Sequence, residues 1–228
     1  MATPAPPHPA PTAFHSLLGL PSSSPLLTQF LAALSPSPPP EPTCKPYSDI
    51  VFLNYPALGI SLSFAPLPPF QPCSTTTKDE VLTAAKEGQL RLTGVDLYNH
   101  TTSAPPTKSG RTKEAEYAPF AGYPVLLPSP STSADQDADK PAPLLDPSTT
   151  GASLLSSSLG EPTRKGGGSS ATPGMGIWTE WTFSLPEEGE EGEKKKVGVM
   201  VEWASSGLKA WEEGGEARWR VCSVFEAE

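Results

Sequence analysis

Thirty prolines in 228 residues decide where regular structure can lie in this chain. Proline has no backbone N–H and a fixed φ, so helix interiors and central strands exclude it. The prolines must therefore sit in connections, which leaves about 100–130 residues to pack, enough for an independent core. Residues 1–13 (MATPAPPHPAPTA) form a Pro/Ala tail, and residues 129–143 (PSPSTSADQDADKPA) are a second stretch with the composition of disordered chain.

Between these stretches the periodicity is readable. Ser24 followed by Pro25 is a helix start, a hydroxyl at the N-cap and the residue best tolerated at N1. Leu27, Phe30, Leu31 and Leu34 recur at helical spacing and predict an amphipathic helix over 25–34. Ser35-Pro36 ends it, and a Pro-rich linker runs to Pro46. The run Ile50 to Tyr55 is rich in strand formers. From Gly59, Ile60, Leu62 and Phe64 alternate with Ser61 and Ser63, the period-2 pattern of a strand with one buried face. Residues 65–79 read as loop. Leu90 to Tyr98 reads as a third strand, with Gly94 marking a bulge that resets its alternation. Tyr117 to Pro128 is apolar and Pro-punctuated, which predicts irregular chain packed along an edge.

A second helix is expected to be capped by Thr149 or Thr150, to carry Leu154, Leu155 and Leu159, and to end at Gly160. A Gly/Ser-rich loop then leads to Gly176. Ile177, Thr179, Trp181 and Phe183 alternate with Trp178, Glu180 and Thr182. The charged run Glu187 to Lys196 reads as a hairpin loop. Val197, Val199, Val201 and Trp203 give the strongest strand signal, and Trp219, Val221 and Phe225 are expected to share the face of a last strand. Helix, strand, strand, strand thus occurs twice, in units spanning 14–100 and 144–228, joined by a loop and linker over 101–143 with a packed segment at 117–128. Leu58–Phe64 aligns with Val197–Trp203, and Val95–Tyr98 with Cys222–Phe225. The expected fold class is α+β: two helix-plus-three-strand units on antiparallel sheet, with helices covering one face.

The second half, a short helix running into Leu159-Gly160-Glu161-Pro162, a Trp-containing strand and then Val-Gly-Val-Met-Val-Glu-Trp (197–203), resembles a recurring unit. It is similar to that of the β-lactamase-inhibitor-protein and BamE-type small-domain superfamily, whose members set one or two helices against a small antiparallel sheet. In the inhibitor protein the unit occurs in tandem. What the resemblance implies is that architecture and a binding style of function. The sequence departs from the lipoprotein branch in lacking a lipidated N-terminal cysteine, and from the inhibitors in lacking their paired disulfides.

Charge narrows the partners. Acids outnumber bases 25 to 16, for a formal net charge of -9. Phosphate backbones are bound chiefly through Lys/Arg clusters, so no nucleic acid is expected. There is no run of about 18 apolar residues, hence no expected membrane span. Residues 1–13 hold no Lys or Arg, Pro21 and Pro25 break the apolar run that follows, and the first basic residue is Lys45; no leader is expected. Cys44, Cys73 and Cys222 are an odd, widely spaced set, unlike a secreted disulfide scaffold. The expected location is cytoplasmic or nuclear, with reduced thiols, and Asn99-His100-Thr101 is not read as a glycosylation site.

No constellation meets the demands of catalysis or ligation. Asp135, Asp137, Asp139 and Asp146 have the spacing of a calcium loop, but Lys140 stands where that loop needs Gly, and the stretch reads as a solvated acidic linker. Arg164-Lys165-Gly166-Gly167-Gly168-Ser169-Ser170 lacks the Gly-Lys-Ser/Thr entry into a helix that a phosphate loop requires, and reads as flexible loop. Among His8, His15 and His100, only His100 has polar company, Asp96 and Asn99. Asp96 and His100 are therefore the residues an enzyme reading would use, although nothing enforces the geometry that acid–base chemistry needs. No Cys or His pair has metal-ligand spacing, and no cofactor is expected. Trp178, Trp181, Trp203, Trp211 and Trp219 crowd the last third, mostly as core. Trp178 alternates away from Trp181, however, and exposed tryptophans are typical binding anchors. The sequence thus points to a non-catalytic protein-binding module or adaptor, with another protein as partner and Trp178, Glu180 and Thr182 as the contact. The other readings are an enzyme at Asp96/His100, and a structural subunit that docks through Tyr117 to Leu127.

Overall fold

The computed structural model describes residues 12–35, 39–99, 117–128, 143–145, 152–167, 177–186, 194–203 and 219–228. Two short ribbon strands, β1 (Thr12–Ala13) and later β6 (Val125–Leu126), pair in parallel, and β7 (Leu144–Leu145) closes this small sheet on the far side of β6. The main body is one eight-stranded antiparallel sheet. In chain order its strands are β2 (Thr43–Pro46), β3 (Val51–Tyr55), β4 (Ile60–Pro66), β5 (Leu90–Tyr98), β8 (Arg164–Gly166), β9 (Trp178–Pro186), β10 (Lys194–Trp203) and β11 (Trp219–Glu226). In space they run β2-β3-β4-β5-β11-β10-β9-β8. The mixed, sheet-rich class expected from the sequence is what the chain forms.

Two neighbouring rows of cross-strand partners display the pleat. One row reads Cys44, Leu53, Leu62, Val95, Val224, Val199, Trp181 across seven strands. From Leu53 to Trp181 every member is buried. The next row, one residue along, reads Thr43, Asn54, Ser61, Asp96, Ser223, Met200, Glu180, Arg164 across all eight. Successive side chains of a strand point to opposite faces, so the apolar row faces the core and the polar row faces away from it.

Helices cover the apolar face. In α1 (Pro25–Leu34) Leu27 is buried and Phe30, Leu31 and Leu34 lean on the core, as their spacing predicts. Ser24 occupies the N-cap, but its hydroxyl makes no capping bond; its carbonyl instead accepts from the N–H of Thr28 at 3.1 Å. Phe14 fills the space beneath, with edge-on contacts to Phe30 at 5.2 Å and Phe120 at 5.9 Å. The helix α3 (Ala152–Leu159) buries Leu155 and Leu159 and stops at Gly160, whose φ is +83°. Its expected caps, Thr149 and Thr150, lie outside the described residues.

The linker expected to run to Pro46 holds β2 at Thr43–Pro46, and the expected disordered tail contributes β1 at Thr12–Ala13. Four further expectations need correction. A third helix, α2 (Lys78–Lys86), packs against β2; it starts inside the loop expected over 65–79 and runs on through residues for which no element is expected. It begins in a capping box: the N–H of Thr77 donates to Glu80 Oε2 at 2.7 Å, and the N–H of Glu80 to Thr77 Oγ1 at 3.4 Å. Secondly, the segment after Tyr117 does not run along an edge. Phe120, Val125 and Leu127 are buried within the core, because β6 is clamped between β1 and β7. Thirdly, Arg164–Gly166 is not loop but an edge strand paired with β9. Lastly, Trp219, Val221 and Phe225 do not share a face. The register slips from Glu202↔Val221 to Trp203↔Trp219, leaving Arg220 without a counterpart on β10. Trp219, Cys222 and Val224 consequently turn inward, and Val221 and Phe225 stay half-exposed. The bulge expected at Gly94 is present, the register slipping from Ser63↔Gly94 to Phe64↔Leu92 past Thr93.

Gly59 fixes how the chain crosses this sheet. Its φ of +66° favours a residue without Cβ, and a Cβ there would lie 2.3 Å from the carbonyl oxygen of Ala118. The returning segment can therefore lie directly on the β3–β4 turn, where the N–H of Ala118 donates to the Pro56 carbonyl. Both outer strands are short and carry charge, Lys45 on β2 and Arg164 with Lys165 on β8, the usual protection against edge-to-edge pairing.

Candidate interaction face

The three residues singled out in β9 lie together on the face away from the helices. Their neighbours along the chain, Ile177, Thr179, Trp181 and Phe183, are buried, whereas Trp178 is half-buried and Thr182 exposed. Trp178 lies across Gly166 of β8, where a Cβ would come within 2.6 Å of the indole ring. Glycine at that position is what lets the ring settle. The Arg164 guanidinium stands 5.8 Å from the centre of the Trp178 ring and 3.5 Å from Glu180 Oε1. With Arg164 mostly in solvent, such a contact contributes roughly 0.5–1 kcal/mol. Glu180 itself is nearly covered. The N–H of Thr182 donates to Thr163 Oγ1 at 3.1 Å, so the chain just before β8 also holds on to β9.

Further in, Phe225 lies over Gly198, whose added Cβ would meet the ring at 2.3 Å. Sequence reasoning misses this residue because the bulge at Arg220 reverses its face. Met200 separates Glu180 from Ser223 in the polar row. Val221, Glu202 and Trp178 make the next row, with Arg220 bound to Glu202 at 3.3 Å. At the opposite end of the face, Tyr47 meets Phe52 edge-on at 6.0 Å.

Asp96 occupies the middle of the polar row. Ser223 Oγ donates to its Oδ1 at 2.6 Å. One strand further, Ser61 Oγ and the Tyr117 hydroxyl both donate to Asn54 Oδ1 at 2.8 Å, and Tyr117 stacks on Tyr98 with ring centres 3.7 Å apart. Burial pushes the Asp96 carboxyl above its ordinary range, the Ser223 bond opposing only in part. Burial, with a smaller push from Asp96, raises the neighbouring Cys222 thiol to about 12. His100, the other half of the enzyme reading, lies outside the described residues.

The other tryptophans are structural. Trp181 Nε1 donates to the Gly160 carbonyl at 2.9 Å, tying the end of α3 to β9, and Trp203 Nε1 donates to Thr179 Oγ1 at 3.0 Å. Trp219 is buried against Tyr123, with rings 5.8 Å apart. Trp211 falls outside the described residues, as do His8, the aspartates of the calcium-like spacing, and residues 168–170 of the Gly/Ser run.

One exposed thiol escapes a reading by motif. Cys73 is exposed ahead of α2, and hydrogen bonds from Thr75 and Thr76 lower its thiol to about 7. The signal for it is the run of hydroxyl residues at 74–77. Among the described residues no group of three His, Cys, Asp or Glu side chains converges as metal ligands, and no helix is long and apolar enough to cross a membrane. The segment named for docking, Tyr117 to Leu127, spends Phe120, Val125 and Leu127 on the protein's own core.

Fold and face together define a class, an α+β protein with one helix-covered sheet face and one face free of helices among the described residues. No family model matches the chain, and no curated protein or solved structure matches it.

Proposed function

We propose that this protein is a non-catalytic protein-binding module or adaptor whose contact surface is the helix-free face around Trp178, Glu180 and Thr182. The observation that carries the reading is the position of Trp178: a half-exposed indole on a glycine bed, beside an arginine, on a strand whose other face is buried from Ile177 to Phe183. Large amphipathic rings in such settings supply contact area with little loss of side-chain freedom on binding. The partner is another protein, not nucleic acid or membrane, and the setting cytoplasmic or nuclear.

The two-unit reading belongs with this proposal. Under the alignment of Leu58–Phe64 with Val197–Trp203 and of Val95–Tyr98 with Cys222–Phe225, Ile60↔Leu97 falls on Val199↔Val224, Ser61↔Asp96 on Met200↔Ser223, and Leu62↔Val95 on Val201↔Cys222. The bulge falls in the same place too, Phe64↔Leu92 on Trp203↔Trp219. An approximate two-fold axis then passes through the Asp96↔Ser223 pair, where β5 meets β11. These coincidences support an internal repeat, and with it the resemblance to tandem inhibitor-type units.

The test is affinity purification of the full chain against Trp178→Ala. A variant that keeps its thermal transition but loses the partners captured by the wild type supports the face. Full retention of those partners removes it.

A further inference from the structure

We propose that the contact face recognises a partner segment presenting a lysine or arginine side chain to Asp96. The inference rests on the binding-face reading above and names the chemistry of what is bound there.

Three carboxylates stand in the rows of this face, Glu180, Glu202 and Asp96. Two of them already hold an arginine: Glu180 has Arg164 at 3.5 Å and Glu202 has Arg220 at 3.3 Å. At the end of the sheet Glu226 likewise holds Arg91, through two bonds of 2.7 Å. Asp96 departs from the pattern. Its one hydrogen bond among the described residues comes from Ser223 to Oδ1, so Oδ2 accepts none there, and the residue keeps part of its surface open to solvent. A carboxylate drawn partly out of water without a cation is costly. The upward push on this group has burial as its leading cause, and among the described residues only the Ser223 bond acts against it.

The surroundings suit the stem of a basic side chain as well as its head. Two residues along β5 is Tyr98, and two residues the other way is Gly94, opposite Phe225. Beyond Ser223 stands Met200. Apolar walls on either side of a carboxylate match a side chain whose methylenes are apolar and whose tip is charged. A formal net charge of -9 favours encounter with a basic partner over an acidic one. The alternative occupants, an apolar or an acidic segment, would leave Asp96 buried unpaired or facing a like charge.

The experiment uses the full chain and an array of synthetic decapeptides in which a central Lys, Arg, norleucine or Glu is flanked by varied Val, Phe and Trp. The expected result is selection of Lys- and Arg-centred peptides at least about tenfold over their norleucine counterparts, with Asp96→Asn losing that preference while still binding the favoured flanks. Carbon NMR of the wild-type Asp96 carboxyl gives a readout that needs no variant: its titration should move to lower pH when a lysine-centred peptide is bound. Equal selection of norleucine centres, or an Asp96 titration unmoved by a bound peptide, overturns this inference and leaves the face standing. Binding that Trp178→Ala does not weaken overturns the face and the inference with it, as does failure of the wild type to bind any member of the array.

Discussion

Two adjacent rows of the same sheet behave as two different materials. The row through Val95 is aliphatic or aromatic from Leu53 to Trp181 and sits under helices. The row through Asp96, one residue along, carries hydroxyls, an amide, carboxylates and an arginine. Burial does not separate them. Asn54, Ser61, Ser223 and Glu180 are as covered as much of the core. What separates them is how each row meets the cost of burial: the first by removing apolar surface from water, the second by matching donors to acceptors across the strands. A row of the first kind makes stability, and one of the second kind holds chemistry at fixed spacing.

The largest effect should come from cutting the first row. Trp181→Ala removes a fully covered indole and its bond to Gly160, and should cost about 3–5 kcal/mol in denaturant unfolding. Trp178→Ala, its neighbour on the other face, should cost roughly 1 kcal/mol or less. Equal losses would erase the distinction between the two faces.

A smaller effect should follow from crowding the second face. Gly198→Ala places a methyl against the Phe225 ring and should destabilise by about 1–3 kcal/mol. The double variant Gly198→Ala/Phe225→Ala should lose less than the sum of the two single changes, because the clash is gone. Additive losses would mean that the Phe225 ring does not lie on Gly198.

How much of this is legible in the sequence follows the same division. Alternation is a local signal, so Ile60 to Phe64, Ile177 to Phe183 and Val197 to Trp203 are readable, with the inward set correct in each. The bulge at Gly94 is readable because glycine marks it. Its counterpart at Arg220 is not, since no glycine stands there, and the facing of Phe225 is lost with it. α2 hides although Thr77 and Glu80 are spaced as a capping box; its inward stripe of Val81, Ala84 and Ala85 is thin, and Leu82 beside Val81 blurs the helical period. Thr77→Ala should therefore cost about 1 kcal/mol, measurable by chemical denaturation, and no loss would show that packing on β2 alone holds the helix. Asp96 stands out in the sequence for its nearness to His100, whereas its defined partner, Ser223, is 127 residues away, a contact that only the β5–β11 pairing creates.

The finest contrast between the rows is electrostatic, and Asp96→Asn isolates it. Burial raises the Asp96 carboxyl in the folded protein above its value in the unfolded chain. Between those two values the folded state binds more protons than the unfolded one, so stability falls as pH rises through that window. Above it the folded protein carries the full cost of an ionised, half-covered carboxylate. An asparagine keeps an acceptor for the Ser223 hydroxyl and carries no charge. The variant should therefore be at least as stable as the wild type at pH 7, with its advantage shrinking as the pH is lowered and the wild-type carboxyl takes up its proton. Thermal unfolding of both proteins, followed from neutral pH down into the acid range, measures the difference. If the variant is instead less stable at pH 7 and the gap closes in acid, the ionised carboxylate is favoured in the fold, and the polar row contains a cation for Asp96 after all.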